Sequence, residues 1–150
     1  MRLPVVDNLK SEIFVPITPE MVWTQPTKEL KDMTIAYVTG AGVHQKDQER
    51  YNLAGDFTWR KIDNNLSAKD LMVTHGGYDN SDANKDINAM FPIDRMHEIA
   101  EEGFIGACAP YHIGFMGGGG DIQKFREVAG PAIAQFLKGE GVDGVVMTAG

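Results

Sequence analysis

Apolar residues in this chain come in short bursts that end in glycine-rich or polar loops. Met33-Thr-Ile-Ala-Tyr-Val-Thr-Gly40 is the first clear burst and predicts a β-strand, with Thr39-Gly-Ala-Gly-Val43 as its exit loop. Leu71-Met-Val-Thr74 predicts a second, buried strand that empties into His75-Gly-Gly-Tyr-Asp79. Phe104-Ile-Gly-Ala-Cys-Ala109 predicts a third. Its exit runs through Pro110-Tyr-His-Ile-Gly-Phe-Met116 into Gly117 to Gly120. Asp143-Gly-Val-Val-Met-Thr-Ala-Gly150 predicts a final buried strand. Gly55-Asp-Phe-Thr-Trp-Arg-Lys-Ile62 reads as a short strand or a packed loop.

Helical spacing fills the gaps. Asn84 to Met90 suggests a short turn. Ile93, Met96, Ile99 and Ala100 form one face of a helix over Ile93–Glu102, with Pro92 at its first turn and Gly103 at its end. Asp121 is a good N-cap for a second helix reaching about Lys138. Ile122, Phe125, Val128, Ala129, Ile133, Phe136 and Leu137 make its apolar side, and Gly130-Pro131 should kink or split it. The order of elements predicts an α/β fold: a mostly parallel sheet flanked by helices, Rossmann- or flavodoxin-like. Residues 1–30, broken by Pro4, Pro16, Pro19 and Pro26, read as an irregular arm ahead of an α/β domain over 31–150.

Composition narrows the function classes. Of the 150 residues 43% are hydrophobic, which suits a packed globular domain. A net charge of −7 argues against a nucleic-acid partner, which needs clustered Lys and Arg. The single cysteine, Cys108, excludes an internal disulfide and fits a reducing compartment. The first ten residues carry charge early and lack an apolar core, so no secretory signal is expected there. No apolar run reaches the ~20 residues of a membrane helix. These features together predict a cytoplasmic protein with no membrane partner.

In parallel sheets, ligands bind beyond the carboxyl ends of strands. If the strands here are parallel, the loops at 39–42, 75–79, 110–112 and 148–150 share one edge. His75 and Asp79 are the leading pair: either a proton-transfer pair or two turn caps. His112 is a second acid–base candidate. Gly76 and Gly77 would let substrate approach the backbone, and Tyr78, Tyr111 and Thr148 could orient it. His44, His75, His97 and His112 lack compact ligand spacing, so no metal is expected. Gly40-Ala-Gly42 lacks the rest of a dinucleotide fingerprint and reads as a tight turn. Gly117 to Gly120 lacks a phosphate-binding Gly-Lys-Ser/Thr ending and reads as a hinge or a close-contact loop. Cys108 reads as an inert packing residue.

Several segments in combination resemble the selenoprotein B family of the glycine, sarcosine, betaine and D-proline reductases. They are Val73-Thr-His-Gly-Gly-Tyr-Asp-Asn-Ser-Asp82, Asn84-Lys-Asp-Ile-Asn88, Phe91-Pro-Ile-Asp-Arg95, Ala54-Gly-Asp-Phe-Thr-Trp-Arg60 and Gly141-Val-Asp-Gly-Val-Val-Met-Thr-Ala-Gly150. His112-Ile-Gly-Phe-Met-Gly-Gly-Gly-Gly120 is closer to the D-proline branch. The resemblance implies an oxidoreductase domain over 31–150, a subunit of a hetero-oligomer that opens D-proline to 5-aminopentanoate.

It further implies a selenocysteine in the loop beyond Gly150, whose selenolate attacks the α-carbon. A pyruvoyl group on a partner subunit with its companion chain would activate the substrate nitrogen, and an electron-donor protein or dithiol would restore selenium. No cofactor is expected on residues 1–150 themselves, and this stretch alone is expected to be inactive. A selenol ionises more readily than a thiol, which suits the attack. Two alternatives remain: component B of a glycine, sarcosine or betaine reductase, and a non-catalytic α/β module for a small anion or nucleotide.

Overall fold

The computed structural model describes residues 24–117 and 122–149. Most of the predicted arm (1–30), most of the Gly117–Gly120 loop, the Asp121 cap and Gly150 lie outside them. Among the described residues there are seven strands: β1 (Thr34–Thr39), β2 (Val43–Gln45), β3 (Trp59–Asp63), β4 (Leu71–Val73), β5 (Ala107–Cys108), β6 (Tyr111–Phe115) and β7 (Gly144–Thr148). α1 spans Ile93–Glu101. α2 (Ile122–Lys124) continues through a π-turn (Phe125–Ala129) into α3 (Gly130–Gly139). The α/β class stands.

β1 is the central strand. Ile35 pairs with both Cys108 and Gly144, and Val38 with both Ile113 and Met147. β5 and β6 therefore lie end to end along one side of β1, with β7 along the other, all parallel to it. β3 runs antiparallel outside β6, so the sheet is mixed. Side chains of β1 alternate between its faces. Ile35 and Tyr37 join a core with Phe91, Ile93 and Met96, the side covered by α1. Ala36 and Val38 join Ile133 and Leu137 of α3.

Four expectations are corrected. The strand placed at 104–109 shrinks to two residues, and Phe104 is 63% exposed. The segment after Pro110, expected as a loop, is strand β6. The second strand, 71–73, is outside the main sheet and pairs antiparallel with Val43–Gln45. Its period of two looked the same because a small ribbon buries one face as a sheet does. The final strand is not buried: Val145, Val146 and Met147 are 47%, 43% and 66% exposed.

β5 and β6 are separated at Ala109-Pro110, where the Pro110 carbonyl faces away from β1 and accepts from the Asn64 N–H at 3.0 Å. The register slips by two residues across Ala109-Pro110, from Ile35↔Cys108 to Val38↔Ile113. The Tyr37 N–H then lacks a carbonyl and donates to Nδ1 of His112 at 2.9 Å. With Nδ1 accepting, the neutral ring carries its proton on Nε2, which donates to Oδ1 of Asn64 at 3.0 Å. His97 donates from its own Nε2 to the Asn64 carbonyl at 2.7 Å.

The second helix is interrupted as Gly130-Pro131 suggested. The Gly130 N–H reaches back to the carbonyl of Phe125, and this wider turn precedes Pro131, whose ring would crowd a regular helix. One extra residue in the turn rotates what precedes it. Ile122 and Val128, expected on the buried side, are 53% and 56% exposed.

His112 is fully buried, and burial first, then the nearby His97, pull its pKa from 6.5 down to about 4. The unfolded chain binds a proton near pH 6.5 that the folded chain refuses until about pH 4. Stability should hold above pH 6.5 and fall below it, by up to about 1.4 kcal/mol per pH unit, in urea unfolding at a series of pH values. His112→Leu should cost about 1–3 kcal/mol by stranding the Tyr37 N–H, and should flatten that slope.

Candidate functional site

Four chain segments meet at the carboxyl end of β1. Gly40 donates its N–H to the Thr148 carbonyl (3.0 Å), and Gly117 donates to the Gly40 carbonyl (2.8 Å). Gly42 donates to the Phe115 carbonyl (2.8 Å) and accepts from the Thr74 N–H (2.9 Å). Tyr78 Oη donates to the Ala41 carbonyl at 2.9 Å. The exits of β1, β4, β6 and β7 are thus stitched together, although β4 belongs to the other sheet.

Glycines make the approach possible. Gly42 has φ +77°, and a Cβ there would collide with the Thr74 carbonyl. A Cβ on Gly76 would lie 3.0 Å from the Leu53 carbonyl, and one on Gly77 only 2.8 Å from Cε1 of His75. The His75 ring lies against the Tyr78 ring, centroids 4.7 Å apart. Gly77 N–H donates to His75 Nδ1 at 2.9 Å. That bond fixes the tautomer: the neutral ring keeps its proton on Nε2 and acts there as a donor. Burial holds the His75 pKa below the ordinary value, so the ring is neutral at pH 7, and burial also raises that of Tyr78.

Asp79 does not engage His75. Its Oδ1 accepts from the Ser81 N–H at 3.0 Å, and this bond keeps its carboxyl below the usual range. Nor do His112 and Tyr111 join the cluster. His112 is enclosed in the sheet. Tyr111 opens β6 at the end away from the exits, near Phe136 and below the Lys61 ammonium (5.8 Å). His75, Gly76, Gly77, Tyr78 and Thr148 are brought to the same edge.

The sequence reading missed four polar side chains there. Tyr37 Oη donates to Thr148 Oγ1 (3.0 Å), and Thr148 Oγ1 donates to Thr39 Oγ1 (3.2 Å). Ala41 N–H also donates to Thr39 Oγ1, at 3.2 Å. His44, fully buried, points Nδ1 at the Gln45 carbonyl (2.7 Å). Its Nε2 therefore accepts, and the Thr74 hydroxyl is 2.9 Å away. Hydroxyl residues closing two apolar strands were the available signal. Among the described residues no group of three or more His, Cys, Asp or Glu could hold a metal ion. No helix among them is long and apolar enough to cross a membrane.

Strand exits of an α/β sheet thus converge beside a tautomer-fixed histidine and a hydroxyl cluster. Residues 6–150 match the glycine/sarcosine/betaine reductase selenoprotein B family, and the chain belongs to that family. It is 65% identical over 148 residues to "D-proline reductase subunit gamma" of Acetoanaerobium sticklandii, covering 99% of this chain and 61% of that protein. It is 31% identical to "Glycine reductase complex component B subunit gamma" of Carboxydothermus hydrogenoformans, over 95% of this chain and 34% of that protein. The figure is 28% for "Betaine reductase complex component B subunit beta" of Peptoclostridium acidaminophilum, over 95% of this chain and 33% of that protein. The chain thus spans less than two thirds of the length of each. No solved structure matches it.

Gly42→Ala should cost about 2 kcal/mol or more, because it combines a left-handed backbone with a backbone collision. The thermal midpoint should drop by several degrees, and Gly103→Ala, also at positive φ but with open space around it, should cost less.

Proposed function

We propose that this chain is part of a D-proline reductase, within a complex that reductively cleaves the ring C–N bond to give 5-aminopentanoate. The observation that carries this reading is the 65% identity to the D-proline reductase subunit along 99% of the chain, against 28–33% for the glycine and betaine components. A selenolate in the loop following β7 would supply the nucleophile, and a pyruvoyl group on a partner subunit, itself bound to a companion chain, would activate the substrate nitrogen. A protein dithiol would return the electrons.

This chain's own residues would bind and orient. Its Gly40–Gly42 and His75–Tyr78 loops form an edge with backbone exposed by glycine, suited to a small substrate lying close. His75 presents an Nε2–H donor, fitting a substrate carboxylate or negative charge developing on it. Tyr78 fixes the face of that ring. Asp79 adds a solvent-facing negative charge beside the loop and influences the imidazole only at long range. His112, enclosed and doubly bonded, holds β6 to β1, and Tyr111 packs at the far end, so neither takes a proton from substrate in this reading.

The test is turnover by the assembled full-length complex supplied with D-proline, glycine, sarcosine or betaine and a dithiol. D-proline should disappear with formation of 5-aminopentanoate; turnover of betaine or glycine alone would assign the chain to the other branch. His75→Ala should lower kcat/KM by ~10²-fold or more. Asp79→Asn should change it by less than about threefold, because exposed charges act weakly at a distance.

A further inference from the structure

Asparagines recur at every fourth position after the His75 loop: Asn80, Asn84 and Asn88. Each spends its side-chain amide on a different neighbour. Asn80 Nδ2 donates to the His75 carbonyl at 3.2 Å. Asn84 grips Val73 twice: Oδ1 accepts from the Val73 N–H at 2.8 Å, and Nδ2 donates to the Val73 carbonyl at 3.1 Å. Asn88 exchanges two bonds with Asp94 in the first turn of α1: Nδ2 donates to Oδ2 at 2.8 Å, and Oδ1 accepts from the Asp94 N–H at 3.2 Å. The first two holds are joined, because the Asn80 carbonyl accepts from both the backbone N–H and Nδ2 of Asn84, each at 3.0 Å.

The grip on Val73 follows from the sheet. Among the described residues β4 pairs with β2 alone. Val73 is buried opposite Val43, yet its N–H and C=O both go to Asn84. A side-chain amide has an acceptor and two donors, so it can answer both groups of one residue as a neighbouring strand would. The backbone also fixes which way the amide points. A peptide N–H only donates and a peptide C=O only accepts, so the reversed amide would set donor against donor and acceptor against acceptor. Asn84 itself is exposed, and it still directs both ends of its amide at the chain.

His75 lies between these holds. Val73 is fastened two residues before it, and its own carbonyl is fastened by Asn80. The Gly77 N–H reaches His75 Nδ1 only while the backbone from His75 to Gly77 keeps its shape. The Gly42–Thr74 and Tyr78–Ala41 bonds tie this loop to the exit of β1. The asparagines tie it to its own strand.

We propose that Asn84, together with Asn80, is a positioning residue for His75. Holding Val73 and the His75 carbonyl keeps the loop in the shape that aims the Gly77 N–H at Nδ1, and so keeps the ring proton on Nε2. The proposal rests on the reading in which His75 Nε2–H meets the substrate. Neither asparagine touches substrate; both act through the histidine.

The experiment is a double-mutant cycle in the assembled full-length complex. Asn84→Ala should lower kcat/KM for D-proline about tenfold, within the range that slight misplacement of a catalytic group costs. In the His75→Ala background the same change should matter less than about twofold, because the group it serves is gone. Asn84→Asp should show the same coupling: it keeps the volume and the acceptor for the Val73 N–H but sets an oxygen against the Val73 and Asn80 carbonyls. Where His75→Ala itself lowers turnover, equal losses in both backgrounds mark a merely structural role and overturn the proposal, as does no loss in either.

A second readout needs no turnover. In the full-length chain with nitrogen-labelled histidine, at a pH where the ring is neutral, the two ring nitrogens of His75 should resonate far apart, one protonated and one not. Asn84→Ala should draw them together as the Nδ1–H tautomer gains population. Asn88→Ala, which loosens only the hold on Asp94, should leave them apart. Unmoved nitrogens in Asn84→Ala, or equal movement in Asn88→Ala, overturn the proposal. If the wild-type complex turns over another substrate, or His75→Ala is silent, the D-proline reading or the role of His75 in it fails by itself, and the nitrogen signals still decide the positioning role.

Discussion

The backbone N–H of Tyr37 sits in the central strand where a two-residue slip between β5 and β6 leaves it without a ladder carbonyl. A buried amide without an acceptor is costly, on the order of a full hydrogen-bond desolvation. His112 supplies the acceptor, and Asn64 in turn satisfies His112. Because of this substitution β5 and β6 can both follow β1, although they differ in register. The second half of β1 is thereby aligned with β6 and β7, and the residues at its carboxyl end, Thr39 to Gly42, fall beside Thr148 and Gly117. The geometry of the site is set several residues upstream of it.

Much of this was legible in the sequence. The strands at 34–39 and 144–148, the helix at 93–101 and the interruption before Pro131 follow from apolar period and from proline chemistry. The stretch around Pro110 was not legible, because a proline normally ends a strand, and here the chain resumes one residue later with an imidazole replacing the missing bond. Leu71–Val73 gave a correct strand and the wrong sheet, since a period of two carries no information about partners. The exposure of β7 was hidden for a related reason: Val-Val-Met reads as buried in any context.

The candidate site was half visible. Glycines beside His75 marked the loop, and Gly42 does require a left-handed backbone. The choice among histidines depended on tertiary structure. His75 and His112 look alike in sequence, both following an apolar run, yet one sits at an edge with its Nε2–H unpaired among the described residues and the other is locked inside the sheet with both nitrogens engaged. Tyr37 and Thr39 alternate with Ile35, Ala36 and Val38 and pass for strand-forming residues. Only their bonds to Thr148 separate them from packing.

The π-turn at Phe125–Ala129 makes the orientation of α2 a matter of counting. Each helical residue advances the chain by about 100°. Removing one residue from the turn would swing Ile122 through about that angle relative to Ile133 and Leu137. The segment ahead of α3 therefore behaves as a dial set by one residue, and length changes there would re-aim that segment without altering the sheet.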